Sequence, residues 1–395
     1  MLAEKLTIIL LKKFFERVNN GELTVTLPSG QRVMLVGQNP RALSVSIKIT
    51  SYKLIPLLYF KGGLGAGESY IKGYWTTPDL GKILEFAAIN RVSLSKQFKG
   101  YNTAKFFDKA LHFFRQNSVN RAKKNIAAHY DLGNSFYGQW LDSSMTYSSA
   151  IFDDFSDSLH KAQTNKYKKL CDLVELANKD TVLEIGCGWG GLINHVKTRY
   201  SCDIRAITIS EEQYNFVTQK NMNVQNGGKS VVKLCDYRNL YGEFDKIFSI
   251  EMIEAVGVKY WPVFFRKLKS SLKFGGVIGL QAITIAEDFY QDYKNNTDFI
   301  QRYIFPGGML PTLEIIKLLS KGSGLRVVKV YDYAQHYAVT LEHWRERFDK
   351  AWPKLNKQGF DGRFRRTWDY YLAYCQAGFS KGMLNVWQLR LEHDS

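Results

Sequence analysis

The stretch Val182-Leu183-Glu184-Ile185-Gly186-Cys187-Gly188-Trp189-Gly190-Gly191 sets a carboxylate two residues ahead of a run of glycines, where an apolar segment gives way to a helical pattern. Glycine is needed where backbone must pass close to a ligand or take a positive φ, and the helix behind such a turn favours a negative group at its N-terminus. Taken alone, Gly186-x-Gly188-x-x-Gly191 matches the dinucleotide fingerprint, with acids about 20 residues on at Glu211 and Glu212. Glu184 argues for a different ligand. A carboxylate there repels a pyrophosphate, but it holds the ammonium of a zwitterionic amino acid such as methionine. S-adenosylmethionine (AdoMet) meets both demands: its carboxylate faces the backbone amides, its amine faces Glu184 or a carbonyl, and its ribose hydroxyls reach the end of the next strand. Asp236, closing a third strand, is placed to accept from an adenine amino group. The competing readings are a nicotinamide dinucleotide and a glycine turn that binds nothing.

The elements that would carry these residues alternate from Lys161 onward. Apolar runs predict strands at 181–185, 203–209, 230–235, 244–250 and 276–285, with helices at 192–199, 211–223 and 256–272 between them. Such alternation implies an α/β fold with a doubly wound sheet. After an inserted lid at 287–320 come a strand (325–333), two helices and a last strand near 386–391. A final antiparallel strand fits a methyltransferase better than a dehydrogenase. Ahead of this domain, 24–49 alternates apolar and polar residues around turns at 28–30 and 37–40, which predicts two or three strands of a small sheet. Residues 62–75 read as a glycine-rich bend, 78–90 as a helix and 93–124 as a basic, aromatic connector. A smaller α+β domain over 1–120 and a catalytic domain over 121–395 follow from this pattern.

The chain has 395 residues, 45% of them hydrophobic, ample for two cores. Its longest stretch without a charge, 274–286, is 13 residues, well short of the ~20 that a membrane-spanning helix needs. Five cysteines without a C-x-x-C pair predict a reduced, cytoplasmic protein with neither disulfides nor a metal knuckle. The formal net charge is +17, and residues 1–125 hold 20 Lys+Arg against 7 Asp+Glu. That asymmetry implies an anionic partner. Residues 1–18, with Leu2, Leu6, Ile9, Leu10, Phe14 and Phe15 near helical spacing beside lysines, and 106–115, with paired aromatics among Lys and Arg, have the makeup of interfacial helices. The expected partner is thus an anionic membrane surface at the inner face of the membrane, and not nucleic acid.

Several further motifs stand in order along 125–395: His129-Tyr130-Asp131-Leu132-Gly133-Asn134, Met145-Thr146-Tyr147-Ser148, the glycine loop, Thr208-x-Ser210-x-x-Gln213, Asp236-Tyr237-Arg238, Glu254-Ala255-Val256-Gly257, Phe305-Pro306-Gly307-Gly308-x-Leu310-Pro311, and Tyr374-Cys375 before Trp387-Gln388. In this set the chain resembles the cyclopropane fatty acid synthase family, which includes the mycolic acid cyclopropane synthases. The resemblance implies a class I AdoMet-dependent methyltransferase fold and methylene transfer to the cis double bond of a phospholipid acyl chain. It implies that Tyr147, Ser148, Gly186, Gly188, Thr208, Ser210, Gln213, Asp236 and Tyr237 line the AdoMet site. It also implies that a bicarbonate base is held by Ser149, Glu254, Gln281, Ile283 and Tyr337, and that Cys375 is an active-site cysteine. A homodimer, one subunit anchoring while the other reacts, fits the same resemblance.

Three positions depart from the family pattern. Ser149 stands where cysteine is usual, Gln281 where histidine is frequent, and Glu251 where glycine is common. Two carboxylates three residues apart, Glu251 and Glu254, would repel a bicarbonate, or one would replace it as the base. An alkene is a poor nucleophile, so such a site works by holding the methyl donor against the double bond in a dry, aromatic cavity, with a base to take the proton that closes the ring. Glu254, with Tyr337 beside it, is the expected base. The alternatives are C-methylation without ring closure, N-methylation of a small molecule on the same scaffold, and a membrane-binding protein without turnover.

Overall fold

The computed structural model describes residues 2–16, 18–95, 132–221 and 228–394. The chain divides into two compact units that are not contiguous in sequence: Met1–Phe114 with Asp292–Ile304 and Trp352–Met383, and Arg115–Gln291 with Phe305–Ala351 and Leu384–Ser395. A single cut at 120/121 therefore does not describe the chain, because two later segments join the N-terminal unit.

In the first unit, β1 (Asn20–Thr26), β2 (Arg32–Val36), β3 (Asn39–Ile49) and β4 (Trp75–Thr76) form a sheet in the order β2-β1-β3-β4, with β1 and β3 parallel. Alternation decides which face is inward: Leu23 and Val25 of β1 and Val33 and Leu35 of β2 are buried. The helix Leu2–Phe15 packs beside β2, burying Phe15 and leaving Leu6 and Ile9 exposed. The expected bend at 62–75 is instead mostly helix. Leu54–Ile71 is broken once, at Gly62 with φ of 53°, and continues through the glycines. Packing overrides propensity here, since a Cβ on Gly67 would lie 2.5 Å from the Phe299 ring and 3.0 Å from that of Tyr370.

The second unit is built on a seven-stranded sheet in the order β10-β11-β9-β8-β5-β6-β7. Its strands are β5 (Thr181–Ile185), β6 (Asp203–Thr208), β7 (Ser230–Leu234), β8 (Phe244–Ile250), β9 (Leu272–Ile285), β10 (Leu325–Asp332) and β11 (Leu384–His393). β5 to β9 pair in parallel, and β11 runs antiparallel to both β9 and β10. This is the doubly wound class I methyltransferase sheet. Val182, Leu192, Ile193, Val196 and Phe248 are buried in its core, each contributing roughly 1.5–3 kcal/mol by leaving water. The helix expected from 256 is split: Gly257, with φ of 85°, ends the turn Ile253–Val256, and a new helix starts at Trp261 with Pro262 in its first turn. The stretch expected as a lid also divides. Asp292–Ile304 belongs to the first unit, whereas the helix Leu313–Gly322 packs against β10. Among the described residues no helix is long and apolar enough to cross a membrane.

Candidate active site

Parallel strands deliver their carboxyl ends to one edge of the sheet, and a crevice opens where the strand order reverses, here between β5 and β8. The glycine loop leaves β5 at that point. Gly186, Gly188 and Gly190 take φ of 84°, 51° and 84°, a region that costs other residues roughly 1–2 kcal/mol. Their reasons differ. A Cβ on Gly186 would come 2.6 Å from Sδ of Met252, and one on Gly191 would meet the Tyr167 hydroxyl and Thr146, whereas one on Gly188 would meet nothing within 4 Å. Gly186 and Gly191 serve close packing; Gly188 faces open space. Below the loop, Glu184 is buried and its Oε2 has no hydrogen-bond partner among the described residues. Burial pushes its carboxyl up to about 8, against the pull of Lys166. An orphaned buried carboxyl beside an open glycine fits the ammonium end of AdoMet.

At the ends of β6 and β7 the side chains are already engaged. The Thr208 hydroxyl donates to Gln213 Oε1 (2.8 Å), the Ser210 N–H donates to Thr208 Oγ1 (3.1 Å), and the Gln213 N–H donates to Ser210 Oγ (3.3 Å). Ser210 thereby caps the helix Glu211–Asn221, with Thr208 bracing both Ser210 and Gln213. Asp236 accepts from Arg238 through its backbone N–H and twice through the guanidinium. Burial would raise the Asp236 carboxyl, and the Arg238 bonds more than reverse this and hold it low. Tyr237 lies edge-on to Phe264, its hydroxyl buried and without a partner among the described residues.

The segment after β8 builds the second half. Glu251 has φ of 51°, a left-handed backbone that a non-glycine residue adopts only at a cost. Its Oε1 accepts from the Ser149 N–H (2.8 Å) and from Gln281 Nε2 (2.9 Å), and its Oε2 accepts from the Tyr337 hydroxyl (2.9 Å). Glu254 accepts from the Ile283 N–H through Oε1, while its buried Oε2 has no partner among the described residues. Ser149, Gln281, Ile283 and Tyr337, expected to surround one bound anion, thus all donate to carboxylates of the chain itself. Burial raises the Glu251 carboxyl, and Lys166, Ser149, Gln281 and Tyr337 offset only part of that. Burial and then the charge of Glu251 push Glu254 up to about 8. The expected lid contributes here too, since the Met309 N–H donates to the Glu254 carbonyl (2.9 Å).

Tyr147, Ser148 and Ser149 run between the halves. The Tyr147 ring meets those of Trp344 (5.2 Å), Tyr137 (5.3 Å) and Trp140 (5.6 Å), and Tyr137 continues to Trp189 (4.9 Å). Ser148 Oγ accepts from Lys166 Nζ at 2.6 Å. Sequence reasoning found Tyr147 but missed Tyr137, Trp140 and Trp344 of this wall and the buried Lys166, although a lysine set in the apolar stripe of a helix was a signal open to it. Cys375 lies in the first unit, on the helix Gly362–Ser380, where burial and then the Asp298 charge push its thiol up and keep it neutral. His129, Tyr130 and Asp131 fall outside the described residues. His336 accepts from the Phe152 N–H and packs on Phe152 and Phe155, a structural role.

The sequence model of a family described as mycolic acid cyclopropane synthetase matches residues 117–389. A tuberculostearic acid methyltransferase of Mycobacterium tuberculosis is 36% identical over 84% of this chain and 79% of its own length. The cyclopropane-fatty-acyl-phospholipid synthase of Escherichia coli is 32% identical over 83% of each. Among solved structures, a mycolic acid cyclopropane synthase complexed with S-adenosylhomocysteine superposes with a TM-score of 0.64, at 28% identity, covering 68% of this chain and 97% of that one. With the doubly wound sheet and the buried Glu184 beside the glycine loop, these likenesses place the chain in the cyclopropane synthase family of AdoMet-dependent methyltransferases.

Proposed function

We propose that this enzyme transfers a methyl group to the cis double bond of an unsaturated phospholipid acyl chain, and that Glu251, not bicarbonate, removes the proton that closes the cyclopropane ring. Glu184 would hold the donor's ammonium, Gly188 would leave room for its backbone, and Tyr147, Ser148, Thr208, Ser210, Gln213, Asp236 and Tyr237 would line the rest of its pocket. Bound AdoMet supplies an electrophilic methyl on a sulfonium. The rings of Tyr147, Tyr137 and Trp344, in mutual contact, would offer π-electron density to the cation left on the acyl chain. The cation then loses one proton to a carboxylate, for a net gain of one CH2.

The observation that carries the base assignment is the donor set of Glu251: Ser149 N–H, Gln281 Nε2 and Tyr337 hydroxyl. Donors stabilise the ionised form, and of two neighbouring carboxyls the less satisfied one keeps the proton. Glu251 is therefore the anion and Glu254 its protonated neighbour, the reverse of the expectation that Glu254 is the base. Glu251→Gln should abolish turnover while AdoHcy still binds; unimpaired turnover would remove Glu251 from the mechanism. A second reading, a methylene branch without a ring, is favoured by Glu251 itself, because a base fixed to the chain takes whichever proton lies before it, and by the relative named as a tuberculostearic acid methyltransferase. The products differ: a branch keeps an alkene and a ring does not.

A further inference from the structure

The helix Leu159–Leu173 turns one face inward, with Leu159, Ala162, Tyr167 and Leu170 buried, and sets Gln163 and Lys166 into that apolar stripe. Lys166 is 0% exposed. Lysines are almost never sealed so completely without a partner that needs the charge. Its Nζ donates to Ser148 Oγ at 2.6 Å and stands 4.4 Å over the Tyr167 ring. Tyr167 in turn hydrogen-bonds Thr146 (2.9 Å) and abuts Gly191 of the donor loop. From its other end, the Lys166 carbonyl accepts from Gln388 Nε2 (3.3 Å). Gln388 also donates to Gln281 Oε1 (3.0 Å), which turns the Gln281 amino group toward Glu251 (2.9 Å). The lysine thus touches the donor wall directly and the base through two amides.

We propose that Lys166 is a positioning residue of the methyl-transfer reaction: its sealed amino group fixes Ser148 in the donor wall, and its positive charge acts on Glu251. The inference rests on the reading of Glu251 as base. The charges acting on Lys166 come from three elements: Glu251 after β8, Asp142 ahead of Met145, and Glu184 on β5. Glu251 faces Lys166, Ser149, Gln281 and Tyr337, and its charge acts on Glu254. Burial outweighs the pull of those three acids and brings the lysine down to about 7, so its charge depends on theirs. Without Lys166, Glu251 loses the largest of the influences that keep it ionised.

The test measures methyl transfer from AdoMet to vesicles of cis-monounsaturated phosphatidylglycerol, across pH, for the full-length chain and its Lys166→Met, Lys166→Arg and Glu251→Gln variants. Lys166→Met should lower kcat by about 10- to 100-fold and move the acid limb of the profile upward by about one pH unit, as expected for loss of a buried charge. Lys166→Arg should leave the limb near its wild-type pH. A Lys166→Met enzyme with a wild-type limb, alongside an inactive Glu251→Gln, overturns the role of Lys166 and spares that of Glu251. An active Glu251→Gln enzyme overturns the base assignment itself. If the methionine variant does not fold, Lys166→Gln decides: a limb displaced upward supports the proposal, and a wild-type limb overturns it.

Discussion

Glu251 occupies a backbone conformation that suits glycine, and it has a carboxylate where the family resemblance implies a bicarbonate. Removing it should relieve the strain and empty the anion site while leaving its donors in place. Glu251→Gly is accordingly expected to be inactive in carbon-dioxide-free buffer and to regain turnover when bicarbonate is added, measured as AdoHcy release; no response to bicarbonate would mean that the three donors do not form an anion site by themselves. Glu184 carries a second prediction. Its carboxyl, raised to about 8, is protonated at pH 7, and a bound ammonium lowers it, so AdoMet binding should release a proton. Binding heats measured at pH 7 in two buffers of different ionisation enthalpy should therefore differ, and equal heats would argue that Glu184 does not meet the ammonium. Glu184 was legible in the sequence because a carboxylate ahead of a glycine turn suits few ligands. The engagement of Glu251 with Ser149, Gln281 and Tyr337 was not, because it joins residues far apart in sequence whose approach depends on how β8, β9 and the helix Ala334–Lys357 pack.

Among the elements, the glycine loop separates folding from binding. At Gly186 a Cβ meets Met252 and the φ is positive, so Gly186→Ala should destabilise the protein by about 1–3 kcal/mol. At Gly188 a Cβ meets no protein atom within 4 Å, so Gly188→Ala should cost only the roughly 1–2 kcal/mol of its positive φ and act mainly by weakening AdoHcy binding. Thermal unfolding and calorimetry of the two variants check this, and the opposite assignment would place the ligand elsewhere. The strands β5 to β8 were legible because buried parallel strands read as short apolar runs between turn signals. The helix Leu54–Ile71 was not, because its glycines look like a bend until Phe299 and Tyr370 supply the reason for small residues. Nor does local sequence reveal that Asp292–Ile304 and Trp352–Met383 join the N-terminal unit.

For the whole molecule, charge and fold are divided unevenly. The first 125 residues hold most of the net charge of +17, and the helix Leu2–Phe15 exposes Leu6 and Ile9. We propose that this basic N-terminal stretch brings the enzyme to anionic lipid at the inner membrane face. Flotation with phosphatidylglycerol vesicles should then be strong at low salt and fall steeply at high salt; binding to neutral vesicles alone would oppose it. The central claim is that a phospholipid olefin is methylated with a carboxylate of this chain as base. The most direct measurement is mass spectrometry of monounsaturated phosphatidylglycerol after incubation with enzyme and AdoMet in bicarbonate-free buffer. The account predicts acyl chains heavier by one CH2 that ozone no longer cleaves, whereas chains of unchanged mass, or heavier chains that ozone still cleaves, would contradict it.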